Sequence, residues 1–157
     1  MGDQQPSKLH RPEEPNSELL AISVYSTTWL IDGKIIRKLP RDDELTPINR
    51  EIMIYDILGP HPRITECVSK GSDNDHQYVE MTFYPNGDLE KYRKTNPPTP
   101  ELRSKWFKQI LDSIVLIHSL GMIHSDLKLS QFLVDDNLDL RLGDFNASQC
   151  PGHATVQ

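Results

Sequence analysis

The chain has 157 residues, 36% hydrophobic and 25% charged, with a formal net charge of −6, which fits one soluble globular domain of ordinary size and not a disordered polymer. The negative balance and the lack of a basic run argue against nucleic acid as a partner. No apolar stretch approaches the ~20 residues that cross a bilayer, and the two cysteines, Cys67 and Cys150, make neither a disulfide framework nor a metal-ligand spacing, so they read as reduced thiols of a cytoplasmic protein, with a nuclear location also open.

Residues 1–16 are polar, carry three of the twelve prolines and lack a signal peptide's apolar core; they are expected to form a disordered arm. Leu19-Leu20-Ala21-Ile22, Thr28-Trp29-Leu30-Ile31 and Lys34-Ile35-Ile36-Arg37-Lys38-Leu39 are short apolar runs split by turn residues. They predict an antiparallel meander closed by Pro40, which cannot donate to a ladder. Lys34 and Lys38 lie four residues apart, on one face by strand period, and the period alone does not choose between them.

Thr46-Pro47 supplies an N-cap and a first-turn proline, so a helix is expected over 47–58, closed by Gly59. Its apolar stripe would be Ile48, Ile52, Tyr55 and Leu58. Glu51 falls on nearly that face, where a carboxylate needs a cation opposite unless it bends out to solvent.

Strand-like runs follow near 64–68 and 77–83, then the turn Pro85-Asn86-Gly87 and a short helix capped by Asp88. Thr99-Pro100 repeats the cap-and-proline device, and a long helix runs to about Leu120. Its apolar residues, among them Trp106, Phe107, Leu111 and Val115, exceed one stripe, so it is expected to need covering on most sides. Phe132-Leu133-Val134, the turn Asp135-Asp136-Asn137 and Leu138–Leu142 read as a half-buried hairpin.

Asp126 precedes that hairpin and Asp144 follows it, eighteen residues on. A hairpin brings the chain back to its starting edge, so the two carboxylates should lie near each other. Neighbouring carboxylates repel and call for a cation. A hard ion such as Mg²⁺, sharing oxygen ligands with a phosphate, meets the need. One carboxylate would hold the metal and the other would accept a proton from an incoming hydroxyl, the layout of phosphoryl transfer.

His124-Ser125-Asp126-Leu127-Lys128 resembles the His-Arg-Asp-Leu-Lys catalytic loop of the eukaryotic protein-kinase superfamily, and Asp144-Phe145-Asn146 resembles its Asp-Phe-Gly motif. With Gln131-Phe132-Leu133-Val134, the sequence is most similar to small Ser/Thr kinase-like proteins of filamentous fungi. The resemblance covers about residues 18–150. It implies an α+β fold, with an antiparallel β-sheet N-lobe bearing one main helix (17–84) and the first part of a mostly helical C-lobe with a β-hairpin (85–157). It makes Lys38 the strand lysine that grips nucleotide phosphates and Glu51 its helix partner. Glu80–Leu89 resembles the hinge, with Met81 as gatekeeper and Thr82 and Tyr84 offering backbone groups to adenine. Asp126 and Lys128 would be catalytic, and Asp144 and Gln131 would hold Mg²⁺. ATP and a protein substrate or partner protein are the implied ligands, and neither nucleic acid nor membrane is expected.

The departures from the family are specific. The phosphate-loop segment, Ile22–Trp29, has no glycine, which weakens nucleotide grip. Ser125 stands in place of the loop arginine, Gln131 in place of asparagine, and Asn146 in place of glycine, a turn position that Asn tolerates. The sequence stops soon after the Asp-Phe motif, so a truncated kinase is the expectation. Three functions follow: phosphoryl transfer to protein Ser/Thr hydroxyls, weak or absent if the C-lobe is incomplete; a pseudokinase or scaffold acting by contact; and a small-molecule kinase, against which Leu127-Lys128 and Phe145 argue.

Overall fold

The computed structural model describes residues 9–41, 46–73 and 75–150. Its contacts divide the chain into two compact units, Met1–Ile52 with Cys67–Phe83, and Met53–Glu66 with Tyr84–Gln157. The division therefore falls inside a helix and sets residues 53–66 and Tyr84 apart from the strands that flank them in sequence, whereas the sequence places a single border after residue 84.

The first unit is built on a five-stranded antiparallel sheet: β1 Ser17–Ile22, β2 Ser26–Ile31, β3 Ile35–Pro40, β4 Cys67–Asp73 and β5 His76–Thr82, in the order β1-β2-β3-β5-β4. The β2–β3 turn places Asp32 and Gly33 at φ 50° and 68°, the paired left-handed geometry that suits the right-handed twist of a hairpin. Lys34 belongs to this turn and lies outside β3. Pro40 is the last residue of β3, opposite Ser26. Trp29, Ile31 and Leu39 form a buried cluster with Ile35 and Tyr78 against it.

Two expectations change. The run at 64–68 does not start β4, because Ile64 forms a parallel bridge with Leu142, and Leu142 N–H donates to Arg63 O at 2.7 Å. Of the arm expected to be disordered, residues 1–8 lie outside the described residues, whereas residues 9–16 are engaged with the sheet. Arg11 sits over the Trp29 ring at 5.7 Å, Pro12 is buried and Glu14 pairs with Arg37 at 2.6 Å. Composition alone misses this, because the charge and the ring that hold the segment lie on strands distant in sequence.

Helix α1 spans Thr46–Leu58 and is closed by Gly59 at φ 62°, whose N–H reaches Tyr55 O at 2.9 Å. Its buried residues include Ile48, Glu51, Ile54 and Tyr55; Ile52, expected on the stripe, is only half-buried.

The second unit holds α2 Leu89–Thr95 and α3 Pro100–Ser119, followed by a 3-10 turn Leu129–Gln131 and the hairpin β6 Phe132–Val134 with β7 Leu140–Leu142. Asp88 caps α2 through Lys91 N–H, and Thr99 caps α3 through Leu102 N–H with Pro100 in the first turn. One face of α3 carries the hairpin. Trp106 Nε1 donates to Leu138 O at 2.8 Å, and the Gln109 amide donates to Asp139 and accepts from Leu140 N–H. Lys105 pairs with Asp139 at 2.6 Å. Burial pushes the Asp139 carboxyl up, but hydrogen bonds from Lys105 and Gln109, with the charges of Lys105 and Arg63, hold it below the usual range. The opposite α3 face leaves Phe107, Leu111 and Val115 exposed, Phe107 by 64% and Val115 by 66%. No helix among the described residues is long and apolar enough to cross a membrane.

Candidate active site

In the first unit the decisive contact joins β3 to α1. Lys38 Nζ donates to Glu51 Oε1 at 2.9 Å. Glu51 is fully buried, and Lys38 nearly so. Strand alternation puts Lys38 on the face opposite Arg37, and helix period puts Glu51 one turn after Ile48. A carboxylate can stay there because the ammonium supplies its charge partner. Lys34, on the same face by strand period, lies exposed in the β2–β3 turn, and the lysine that meets Glu51 is Lys38.

The hinge-like residues divide between the units. Met81 is buried near the end of β5, opposite Ile36 and Cys67, and Thr82 closes the strand opposite Ile35. Tyr84 belongs to the second unit. Its hydroxyl accepts from Glu66 N–H at 3.1 Å, and burial pushes its phenol above the ordinary value.

Between β1 and β2 the glycine-free stretch closes on itself. Residues 23–25 make a tight turn closed by its own hydroxyl: Ser23 Oγ accepts from Tyr25 N–H at 3.2 Å and from Ser26 N–H at 3.0 Å. Backbone donors that a glycine loop leaves open are engaged here within the turn.

In the second unit the loop after α3 folds around His124. Its ring is buried, with Nε2 at 2.8 Å from Gly143 O. Nδ1 accepts from Asp126 N–H at 3.3 Å, so Nε2–H is the donor to Gly143 and the tautomer is fixed. Ser148 Oγ donates to His124 O, and the Phe145 ring lies 5.3 Å from the imidazole and 5.4 Å, edge-on, from Tyr55. The hairpin does what its sequence promises: Phe132 pairs with Leu142, and Gly143 N–H returns to Gln131 O at 3.0 Å. Both aspartate frames are therefore tied to Gly143, one through His124 and one by direct succession.

Asp126 is 48% exposed, with Lys128 Nζ at 3.7 Å and the buried Gln131 amide donating to Oδ2 at 2.7 Å. Asp144 is half-buried, and its Oδ1 accepts from Asn146 Nδ2 at 3.1 Å. Ser125 and Asp144 both take the left-handed region, at φ 70° and 56°. That conformation is uncommon for residues other than glycine and concentrates where a site dictates the backbone.

Do these residues suit Mg²⁺? This ion is held by one or two carboxylates and by substrate phosphates rather than by an all-protein cage. A partly exposed Asp144 beside the amide of Asn146 meets that description. No cluster of three or more His, Cys, Asp or Glu placed to hold a metal occurs among the described residues.

Residues 25–155 match the family model for the protein kinase domain. The chain belongs to the protein kinase family. Among curated proteins it is 33% identical over 118 residues to mouse NUAK family SNF1-like kinase 1, across 73% of this chain and 18% of that one. It is 33% identical over 114 residues to rat serine/threonine-protein kinase SIK1, across 71% of this chain and 15% of the relative. Over 107 residues it is 31% identical to the probable serine/threonine-protein kinase KCC4 of Saccharomyces cerevisiae, across 66% and 10%. The chain spans less than a fifth of the length of these relatives. In this kinase-family chain the antiparallel sheet with its helix and the partial helical unit with a hairpin stand as the resemblance implies.

Sequence reasoning missed the outer-face group of Glu14, Arg37, Glu80 and Tyr78, and the pairing of Ile123 with Gln149. No local pattern signals either, since each joins segments more than twenty residues apart.

Proposed function

We propose that this chain carries the residues of a serine/threonine protein kinase that transfers the terminal phosphoryl group of ATP to a Ser or Thr hydroxyl of a protein. In the first unit, Lys38, held by Glu51, pairs with the nucleotide phosphates, and Met81 and Thr82 border the adenine. In the second unit, Tyr84 belongs to the hinge-like stretch. Asp126 orients the acceptor hydroxyl and takes its proton as the oxygen attacks the terminal phosphorus and the bond to the leaving ADP breaks. Lys128, 3.7 Å from Asp126, offsets charge on the transferred group. Asp144 and Gln131 hold Mg²⁺, which when bound neutralises phosphate charge. The observation that carries the reading is the tie of both aspartate frames to Gly143, with His124 Nε2 at 2.8 Å from its carbonyl.

A second reading, a pseudokinase acting by contact, draws on the Ser23-closed turn and on the exposed Phe107, Leu111 and Val115 of α3. One experiment separates the two: phosphate transfer to a generic protein acceptor, alongside thermal shift with and without Mg-ATP. In the enzyme reading, Asp126→Asn leaves the Mg-ATP shift intact and cuts turnover by roughly 10²–10⁴, whereas Asp144→Asn weakens the Mg-dependent shift. A wild-type chain with neither shift nor transfer belongs to the contact reading.

A further inference from the structure

β3 sets two long cations side by side, Arg37 and Lys38, in the stretch Ile35-Ile36-Arg37-Lys38-Leu39-Pro40. Consecutive strand residues point to opposite faces, so each cation needs a carboxylate on its own side. The last four residues of β3 are all buried, so hydrophobic alternation does not mark one face of this strand. A one-residue slip would exchange Arg37 and Lys38 between faces.

The two faces offer different carboxylates. On one, Glu51 presents a single oxygen to an ammonium at 2.9 Å. On the other, Arg37 Nη1 donates to Glu14 Oε2 at 2.7 Å and Nη2 to Glu14 Oε1 at 2.6 Å. Nη2 also meets Glu80 Oε2 at 3.3 Å, and the guanidinium lies over the Tyr78 ring at 4.4 Å. Glu80 is itself oriented by Ser69 Oγ at 2.6 Å. A two-pronged contact with stacking on an aromatic ring suits the flat guanidinium fork, and an ammonium cannot reproduce it.

Glu14 reaches this place because residues 10–16 are fastened along the sheet. The His10 and His76 rings lie 3.6 Å apart, Arg11 covers Trp29, and Asp32 N–H donates to Asn16 O at 3.0 Å. Register puts Trp29, Arg37 and Glu80 opposite one another across β2, β3 and β5.

We propose that Glu14 is a positioning residue for Lys38: from the segment before β1 it selects Arg37 for the outer face of the sheet and so leaves Lys38 the face that meets Glu51. The segment is then part of the nucleotide-handling unit. Only the nucleotide arm of the test below rests on the kinase reading; the placement of Lys38 does not.

The test uses the full chain with Glu14→Gln, Glu14→Asp and, as a control, Glu13→Gln at the exposed neighbouring acid. Amine-selective acylation read by mass spectrometry gives the rate at Lys38 relative to exposed Lys34, well below the melting temperature. Losing the charged, two-pronged partner should speed Lys38 labelling about tenfold. Glu14→Asp should restore part of the protection, and Glu13→Gln should change nothing. Trp29 emission reports whether residues 9–16 stay on the sheet. A fluorescent ATP analogue should bind Glu14→Gln about tenfold more weakly than wild type. A merely structural Glu14 would lower the melting temperature and leave Lys38 protected in the folded chain; that result overturns the proposal, as does a Glu14→Gln chain whose Trp29 emission and Lys38 rate both match wild type. If wild type binds no nucleotide while Glu14→Gln still exposes Lys38, the kinase reading fails and the positioning role stands.

Discussion

Replacing Lys38 by Met keeps the length of the side chain and removes its charge. Lys38 Nζ lies 2.9 Å from Glu51 Oε1, with side-chain exposures of 10% and 0%. Were this pair exposed, its loss would cost about 0–1 kcal/mol. Because it is buried, removing one partner leaves a carboxylate without its cation and costs about 3–5 kcal/mol. Set against a domain stability of about 5–15 kcal/mol, that is a large share of the total. For a chain of this size the melting temperature should drop by roughly 6–20 °C. Adding Glu51→Leu to Lys38→Met replaces both charges with apolar groups and should recover most of the loss, since buried pairs and well-packed apolar substitutes are often equivalent. Urea unfolding followed by Trp29 emission supplies the free energies, with Trp106 reporting on the other unit. A loss under about 1 kcal/mol for Lys38→Met, or a double variant no more stable than the single one, would refute the argument that burial governs this pair.

Ser23→Gly should release the Tyr25 and Ser26 N–H groups from the turn and tighten Mg-ATP binding at a small cost in stability, read by nucleotide titration beside thermal melting; unchanged or weaker binding counts against the turn as a restraint on nucleotide binding. His124→Ala removes the tie between the two aspartate frames and should abolish phosphate transfer while costing about 1–3 kcal/mol for the buried groups it leaves without partners. The Asp139 carboxyl is held below its usual 3.8, so its contribution is complete above that value and is lost as pH falls through the lower folded one. Acid unfolding of Asp139→Asn should therefore be shallower than that of wild type below about pH 4, and parallel curves would contradict it.

Much of this architecture is legible in the sequence because its signals are local. Asp32-Gly33, Thr99-Pro100 and Asp88 mark their turns and caps by residue chemistry that needs no distant partner. The hairpin of β6 and β7 is visible in alternation, and from it follows the return of Asp144 toward Asp126. Glu51 is legible in a different way: a carboxylate on an apolar face must either bend out to solvent or meet a cation, and here it meets Lys38. What the sequence hides is settled by partners far along the chain. Ile64 looks like a strand residue but pairs with Leu142 instead of starting β4. The segment 9–16 has a disordered composition, yet Arg37 and Trp29 hold it. The buried face of α1 runs through Ile54 in place of Ile52, a shift that period alone does not resolve when Ile52 and Ile54 sit two residues apart.

In the proposed kinase reading a nucleotide is gripped by Lys38 from its buried pair with Glu51. Calorimetric titration of Mg-ATP into wild type, Lys34→Ala and Lys38→Ala tests it most directly. Saturable binding is expected for wild type and for Lys34→Ala, and none for Lys38→Ala. Equal loss from both substitutions, or no binding to the wild-type chain, would contradict it.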